Sequence, residues 1–160
     1  MSKDANLQKV IDALNEARAG ELTAIYQYMA QHYELDNDDF GKLAMGFKAT
    51  GIQEMKHAEM LAERILFLGG TPVTKPDGVP MKGQSIADML KTDIGLEKGA
   101  VKMYNHHAML CADCGDLVSK ALFEDLLKDE EAHLDAFLNL LDHIEKLGTD
   151  FLATQTGGGE

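Results

Sequence analysis

Four segments of this chain each carry a stripe of apolar or aromatic residues at seven-residue spacing, and each stripe is interrupted once, by a glutamate. The first stripe is Leu7, Leu14, Glu21, Tyr28 and Leu35, and the second is Phe40, Phe47, Glu54, Leu61 and Leu68. The third is Leu90, Glu97, Tyr104 and Cys111, and the fourth is Phe123, Glu130, Phe137 and Ile144. Sevenfold spacing returns a residue to one side of an α-helix with a drift of ~20° per heptad. The stripes therefore predict four long helices, each burying one face. A carboxylate on such a face is costly if it is unpaired, or else it stays protonated. Four of them, one per helix, call for a common cause.

The intervals supply that cause. Glu21 to Glu54 is 33 residues, as is Glu97 to Glu130; Glu21 to Glu97, Glu54 to Glu130 and His57 to His133 are each 76. The chain thus reads as two similar helical hairpins. With ~1.5 Å of rise per residue on both arms, the two glutamates of each hairpin reach the same height. One four-helix core then gathers all four. Glu54-Met55-Lys56-His57 and Glu130-Glu131-Ala132-His133 both read E-x-x-H, which places a carboxylate and an imidazole on one helix face. Four carboxylates and two imidazoles suit two divalent cations. Oxygen-rich ligands with one histidine per metal favour iron or manganese over structural zinc. The alternative is a buried polar network without metal. Glu131 falls off the fourth stripe and reads as a solvated charge. His32, His106, His107 and His143 have no carboxylate in register and read as surface residues or as neighbours of the ligands.

All three prolines, Pro72, Pro76 and Pro80, fall in the segment from Gly69 to Gln84, which reads as a loop. The helices are expected over 4–35, 38–68, 85–112 and 116–147, with Ser85 an N-cap and Gly148 a stop, and a short fifth helix near 150–154. Tight turns are expected at 36–39 and 113–116. Residues 1–160 read as a single domain with a frayed tail at 157–160. The net charge of −12 disfavours nucleic acid and anionic membrane as partners. Met1 to Asn6 carry no signal pattern, and no apolar run approaches ~20 residues, so the expected location is the cytoplasm. The two cysteines, Cys111 and Cys114, are too few for a disulfide scaffold; they read as a turn with one core-facing thiol.

The segments from Glu21 to Tyr28, Glu54 to Ala58, Glu63 to Leu68 and Asp129 to His133 closely resemble the bacterioferritin family, and the resemblance covers nearly the whole chain. It implies an all-α, ferritin-like four-helix bundle whose long second connection crosses the bundle. The loop from Gly69 to Gln84 could span roughly 50 Å when extended, which is ample. The resemblance further implies a homo-oligomeric, twenty-four-subunit shell built from two-fold dimers. Such a shell is a ferroxidase: it binds two Fe(II) per subunit at Glu21, Glu54, His57, Glu97, Glu130 and His133, oxidises them with O₂ or H₂O₂, and stores the Fe(III) mineral.

Met55 lies one residue past Glu54 and so leaves the helix ~100° away from the metal-facing stripe. Gly51, Ile52 and Ala58 are its expected neighbours there, leaving room for another body. In the family a methionine at this position binds haem b or a related iron porphyrin, one from each subunit of a pair. That haem is expected to aid reductive iron release, with a ferredoxin as electron donor. Without the resemblance, Met55 reads as an interface residue. Tyr28 resembles the family's tyrosine beside the di-iron site, which supplies an electron or holds a ligand; an ordinary core tyrosine is the other reading. Some bacterioferritins also carry an inner-surface iron site with a histidine and an aspartate where this chain has Ala49 and Gln53, so that site is not expected here. The competing functions are a rubrerythrin-like peroxidase and a manganese-catalase-type enzyme on the same bundle, and a non-catalytic assembly bundle. The last leaves the four core glutamates unexplained, and the rubrerythrin reading lacks a four-cysteine iron domain.

Overall fold

A computed structural model describes residues 3–158. The elements are α1 (Lys3–Asn37), α2 (Gly41–Phe67), α3 (Ile86–Asp113), α4 (Leu117–Leu147) and the short α5 (Thr149–Thr154). The expected limits hold to within about three residues, as usual for helix ends. The largest slip is the start of α2. Asp39 takes a positive φ of 65°, and this ends the turn and delays the helix to Gly41. Ser85 caps α3 by accepting from the amide of Asp88, and Asp116 caps α4 by accepting from the amide of Ser119.

The pairs α1–α2 and α3–α4 form two hairpins, and α1 packs on α3. Contacts such as Tyr28 with Glu97 and Tyr104 with Glu21 fix α1 and α3 as antiparallel. The connection from α2 to α3 runs beside α1 in the same direction. Asn15 donates to the carbonyl of Thr71, Arg18 to that of Val73 and Gln27 to that of Met81. The amide of Gly83 then donates to Glu34. This strap returns the chain to the end of the bundle where α3 begins, giving an up-down-down-up order. It leaves α2 at Gly70, where an added Cβ would lie 2.7 Å from Ile11 Cγ2, so only glycine allows the close passage over the core.

Two apolar clusters fill the bundle. One contains Val10, Leu14, Leu61, Ile65, Phe123 and Leu126, and the other Leu35, Leu43, Phe47, Leu90, Ile94 and Phe137. Burying each such side chain is worth ~1.5–3 kcal/mol, which offsets the polar band lying between the two clusters. Across the hairpins, Arg64 Nη2 donates to both oxygens of Asp116 at 2.7 and 2.9 Å, and its Nε donates to Ser119 Oγ at 2.9 Å. Despite partial burial, the Ser119 donors and the guanidinium hold the Asp116 carboxyl below its usual range.

Some expectations need correction. His32 and His107 are buried, so neither is a surface residue. His32 Nδ1 lies 2.8 Å from the carbonyl of Ala44, and His107 Nε2 lies 3.2 Å from Glu16. His106, His143 and Glu131 are exposed. Gly51 and Ala58 do not flank Met55 on an open face. They lie buried on the inward side of α2, where the missing side chain of Gly51 admits Met29 Sδ to within 3.3 Å of the position a Cβ would take. The tail is not frayed at Gly157, whose amide donates to the carbonyl of Asp39 at 3.0 Å; 159–160 lie outside the described residues. Cys111 is buried in the first cluster and Cys114 is partly exposed, both as free thiols.

Candidate metal centre

The heights set by the spacing bring all six expected ligands to one place. Glu21, Glu54, His57, Glu97, Glu130 and His133 are all buried at the middle of the bundle. Their ligand atoms form two overlapping sets. One is Glu21, Glu54, His57 and Glu130; the other is Glu54, Glu97, Glu130 and His133. Within each set the atoms lie within 4.8 Å of one another. Glu54 and Glu130 belong to both sets and so can bridge two ions, while Glu21 and Glu97 each serve one. The bundle thus has two chemical faces: α1 and α3 provide the end carboxylates, and α2 and α4 provide the bridges and both imidazoles.

Hydrogen bonding tests whether this cluster is built for metal. His57 Nδ1 sits 2.8 Å from Glu54 Oε2 and 3.0 Å from Glu130 Oε1, and His133 Nδ1 sits 3.0 Å from Glu54 Oε1. Yet both Nδ1 atoms, both oxygens of Glu54 and Oε1 of Glu130 are buried without a properly directed hydrogen-bond partner. Such orphans are rare in folded proteins. Here all of them face one point, while the outward Nε2 atoms are bonded, His57 to Asp129 at 3.1 Å and His133 to Gln53 at 3.0 Å. An outer nitrogen held and an inner nitrogen bare is the arrangement of a metal-ligating histidine.

The electrostatics agree. Burial, then the neighbouring carboxylates, pushes Glu97 up to about 11 and raises Glu21 well above the carboxylate range. Burial would raise Glu130 too, but the neighbouring imidazoles of His133 and His57 bring it to about 2. Burial would lower the histidines. The surrounding carboxylates win instead, taking His133 to about 9 and His57 higher still. Without metal, the cluster holds protons where cations would sit.

Tyr28 donates its hydroxyl hydrogen to Glu97 Oε1, so it holds an expected ligand. Tyr104 does the same for Glu21 Oε1 from the other hairpin. Sequence reading placed Tyr104 in the third stripe without giving it this part. The signal was there, since Tyr28 and Tyr104 are also 76 residues apart. Asp129 and Gln53 were missed as well, although they too differ by 76 and each precedes an E-x-x-H motif. A cavity of about 200 Å³ opens between α1 and α3, lined by the small residues Gly20, Ala24, Gly99 and Ala100, and reaches Glu21 and Glu97. Asp77 of the strap also lines it. Met55 stands apart from the centre, 53% exposed on α2 with Ile52 also exposed.

Comparison with known proteins extends these observations. Residues 11–147 match the model of the ferritin-like domain family. The chain is 44% identical over 149 residues to the bacterioferritin of Desulfovibrio desulfuricans, covering 93% of this chain and 83% of that protein. It is 38% identical over 143 residues to the bacterioferritin of Brucella melitensis, covering 89% and 88%. The crystal structure of the Desulfovibrio desulfuricans bacterioferritin, which describes a diiron site in different catalytic states, superposes with a TM-score of 0.97 at 41% identity. That match covers 99% of this chain and 93% of that one. Among the described residues, no helix is long and apolar enough to cross a membrane.

Proposed function

Because the chain belongs to the bacterioferritins, within the ferritin-like domain family, we propose that its two overlapping ligand sets are the centre through which it takes up iron. The protein is an iron-storage bacterioferritin with a buried di-iron ferroxidase site, and its subunits form a homo-oligomeric shell. The relatives compared above are bacterioferritins, which favours iron storage over the rubrerythrin-like and manganese-catalase-type functions left open by the sequence. The observation that carries the ligand assignment is that five buried atoms without partners, on Glu54, His57, Glu130 and His133, face one point.

Glu54 and Glu130 would be shared by two ions, Glu21 and His57 would complete one position, and Glu97 and His133 the other. A pair of Fe(II) held there would supply the two electrons that reduce O₂ to peroxide or H₂O₂ to water. The protein's own part is to hold the ions at a shared distance and to exchange protons for cations. Tyr28 and Tyr104 hold Oε1 of the end carboxylates Glu97 and Glu21, so that neither side chain swings away when charge builds up at the centre. Fe(II) reaches the centre through the opening between α1 and α3. Glycine and alanine leave the width there, and Asp77 offers a carboxylate along the way.

Family membership supports several finer readings. The shell has twenty-four subunits arranged as two-fold pairs and works in the cytoplasm. Met55 is the residue that would hold a haem shared across a subunit pair, since an exposed thioether beside an exposed apolar side chain suits that group. Haem bound there would supply an electron route toward stored Fe(III), with a ferredoxin as the outside donor. The test of the ligand assignment is Glu54→Ala. It removes a bridge and should slow Fe(II) oxidation at least about 100-fold in an otherwise assembled shell. Oxidation at the parent rate would overturn the assignment.

A further inference from the structure

The two histidines of the centre are backed differently, although the helices around them repeat. His57 of α2 is held from α4 by Asp129, its Nε2 3.1 Å from Asp129 Oδ2. His133 of α4 is held from α2 by Gln53, its Nε2 3.0 Å from Gln53 Oε1. The bonds cross the bundle reciprocally. In each case the residue just before one E-x-x-H motif supports the histidine of the other. Both histidines use Nδ1 toward the carboxylates, and each ligand set contains three glutamates and one histidine. The inner shells are therefore alike, and the outer partner is where the two halves part.

The difference is between a charged and a neutral acceptor. With Nδ1 on a cation, Nε2 carries the proton and donates it. A carboxylate acceptor makes that hydrogen bond charge-assisted and draws the imidazole toward its more basic, electron-rich form. An amide oxygen accepts the same hydrogen without a net charge. His57 is also the more enclosed ring, at 1% exposure against 8% for His133.

Resting on the ligand assignment above, we propose that Asp129 and Gln53 rank the two metal positions: the cation beside His57 is the tightly held one, and the cation beside His133 is the one that exchanges. Asp129 and Gln53 are positioning residues, acting only through the imidazoles. Outer partners of this kind change metal affinity by ~10–100-fold. Because Asp129 is 45% exposed and partly solvated, a ratio near the lower end, about tenfold, is expected here. A centre with one firm and one loose position keeps an anchored ion while the other moves on, which suits a protein that must pass iron to a store rather than retain it.

The test is anaerobic titration of the assembled, metal-free protein with Co(II), a slow-reacting stand-in for Fe(II), read by its visible absorption. It is paired with crystals grown at one equivalent of Co(II) per chain and measured by anomalous diffraction. The expected result is two steps differing about tenfold, with the first equivalent beside His57. Gln53→Asp should tighten the second step and bring the two together. Asp129→Asn should weaken the first step, and the double variant should reverse the order of filling. A solution melting curve for each metal-free variant checks that the fold is intact, and the crystal occupancies report the ranking whatever the absolute affinities. Equal occupancy of both positions in the parent at one equivalent, or filling that ignores all three variants, would overturn the ranking while leaving the ligands in place. Fewer than two Co(II) per chain at saturation would overturn the ligand assignment, and the ranking with it.

Discussion

The hairpins α1–α2 and α3–α4 are near copies at the ligand positions and differ around them. Glu21 matches Glu97, Tyr28 matches Tyr104, Glu54 matches Glu130 and His57 matches His133, always 76 residues apart. All eight are buried. At the same offset, Met55 falls opposite Glu131, Gln53 opposite Asp129, and Ala17 opposite Asp93. The first of these pairs is exposed. The matched positions are those a pair of equal cations would require. The unmatched ones are where each hairpin takes on a task of its own. The repeat therefore separates residues that serve the shared chemistry from residues that serve one side of it.

Removing matched ligands breaks the comparison most directly. Glu21→Ala and Glu97→Ala should each cost at least about 100-fold in the initial rate of Fe(II) oxidation, followed by stopped-flow absorption, and the two losses should agree within a fewfold. A large loss from one and none from the other would mean that the centre holds a single ion. Neither variant should unfold the metal-free protein, because each relieves a crowd of buried carboxylates.

An unmatched residue should behave the other way. Met55→Leu keeps the apolar volume but removes the sulfur, so haem should be lost from the purified shell while the rate of Fe(II) oxidation is kept within about twofold. An unchanged haem spectrum would show that Met55 is not the ligand. Equal iron release from parent and variant shells, supplied with reduced ferredoxin after equal loading, would sink the idea that haem serves release.

The tyrosines sharpen the comparison at smaller scale. Tyr28→Phe and Tyr104→Phe each leave a buried carboxylate short of a donor, at a cost of roughly 1–3 kcal/mol in the stability of the metal-free protein, measured by denaturant unfolding. If both tyrosines only hold ligands, the two variants should slow oxidation by similar factors. A much greater loss for Tyr28→Phe would reveal the electron-supplying part that the family resemblance suggests for it. Least of all is expected from Glu131→Ala, an exposed change within about 0.5 kcal/mol of the parent in a thermal melt.

Much of this was legible in the sequence because the information was one-dimensional. Heptad stripes report which face of a helix is buried, and equal arm lengths report which residues share a height. Together they are enough to place Glu21, Glu54, His57, Glu97, Glu130 and His133 in one band. What stayed hidden depends on contacts across the bundle. Nothing in the local pattern tells Asp129 from the neighbouring Glu131, yet one reaches His57 and the other faces solvent. Gln53 read only as a departure from another iron site, though it holds His133. Asp93 is buried off its stripe and was not foreseen; it accepts from Gln31 at 2.9 Å, and burial pushes its carboxyl up to about 8. The placement of Gly51 failed for a related reason. One helix wheel assigns a residue to a face, but the partner helix decides whether that face is covered. Applying the 76-residue offset to every residue near the motifs, rather than to the ligands alone, would have recovered Tyr104 as the counterpart of Tyr28.

The central claim is a paired centre that trades protons for two cations in every chain, and anaerobic Fe(II) binding with simultaneous proton counting tests it most directly. At pH 7 the metal-free cluster keeps protons on Glu97, raised to about 11, and on His133, raised to about 9, and both must give up their proton to ligate. The predicted result is two Fe(II) per chain, bound with release of protons and with an affinity that rises with pH, both ions being lost or weakened in Glu54→Ala. Saturation at one Fe(II) per chain, or two bound without proton release and undisturbed by Glu54→Ala, would contradict the account.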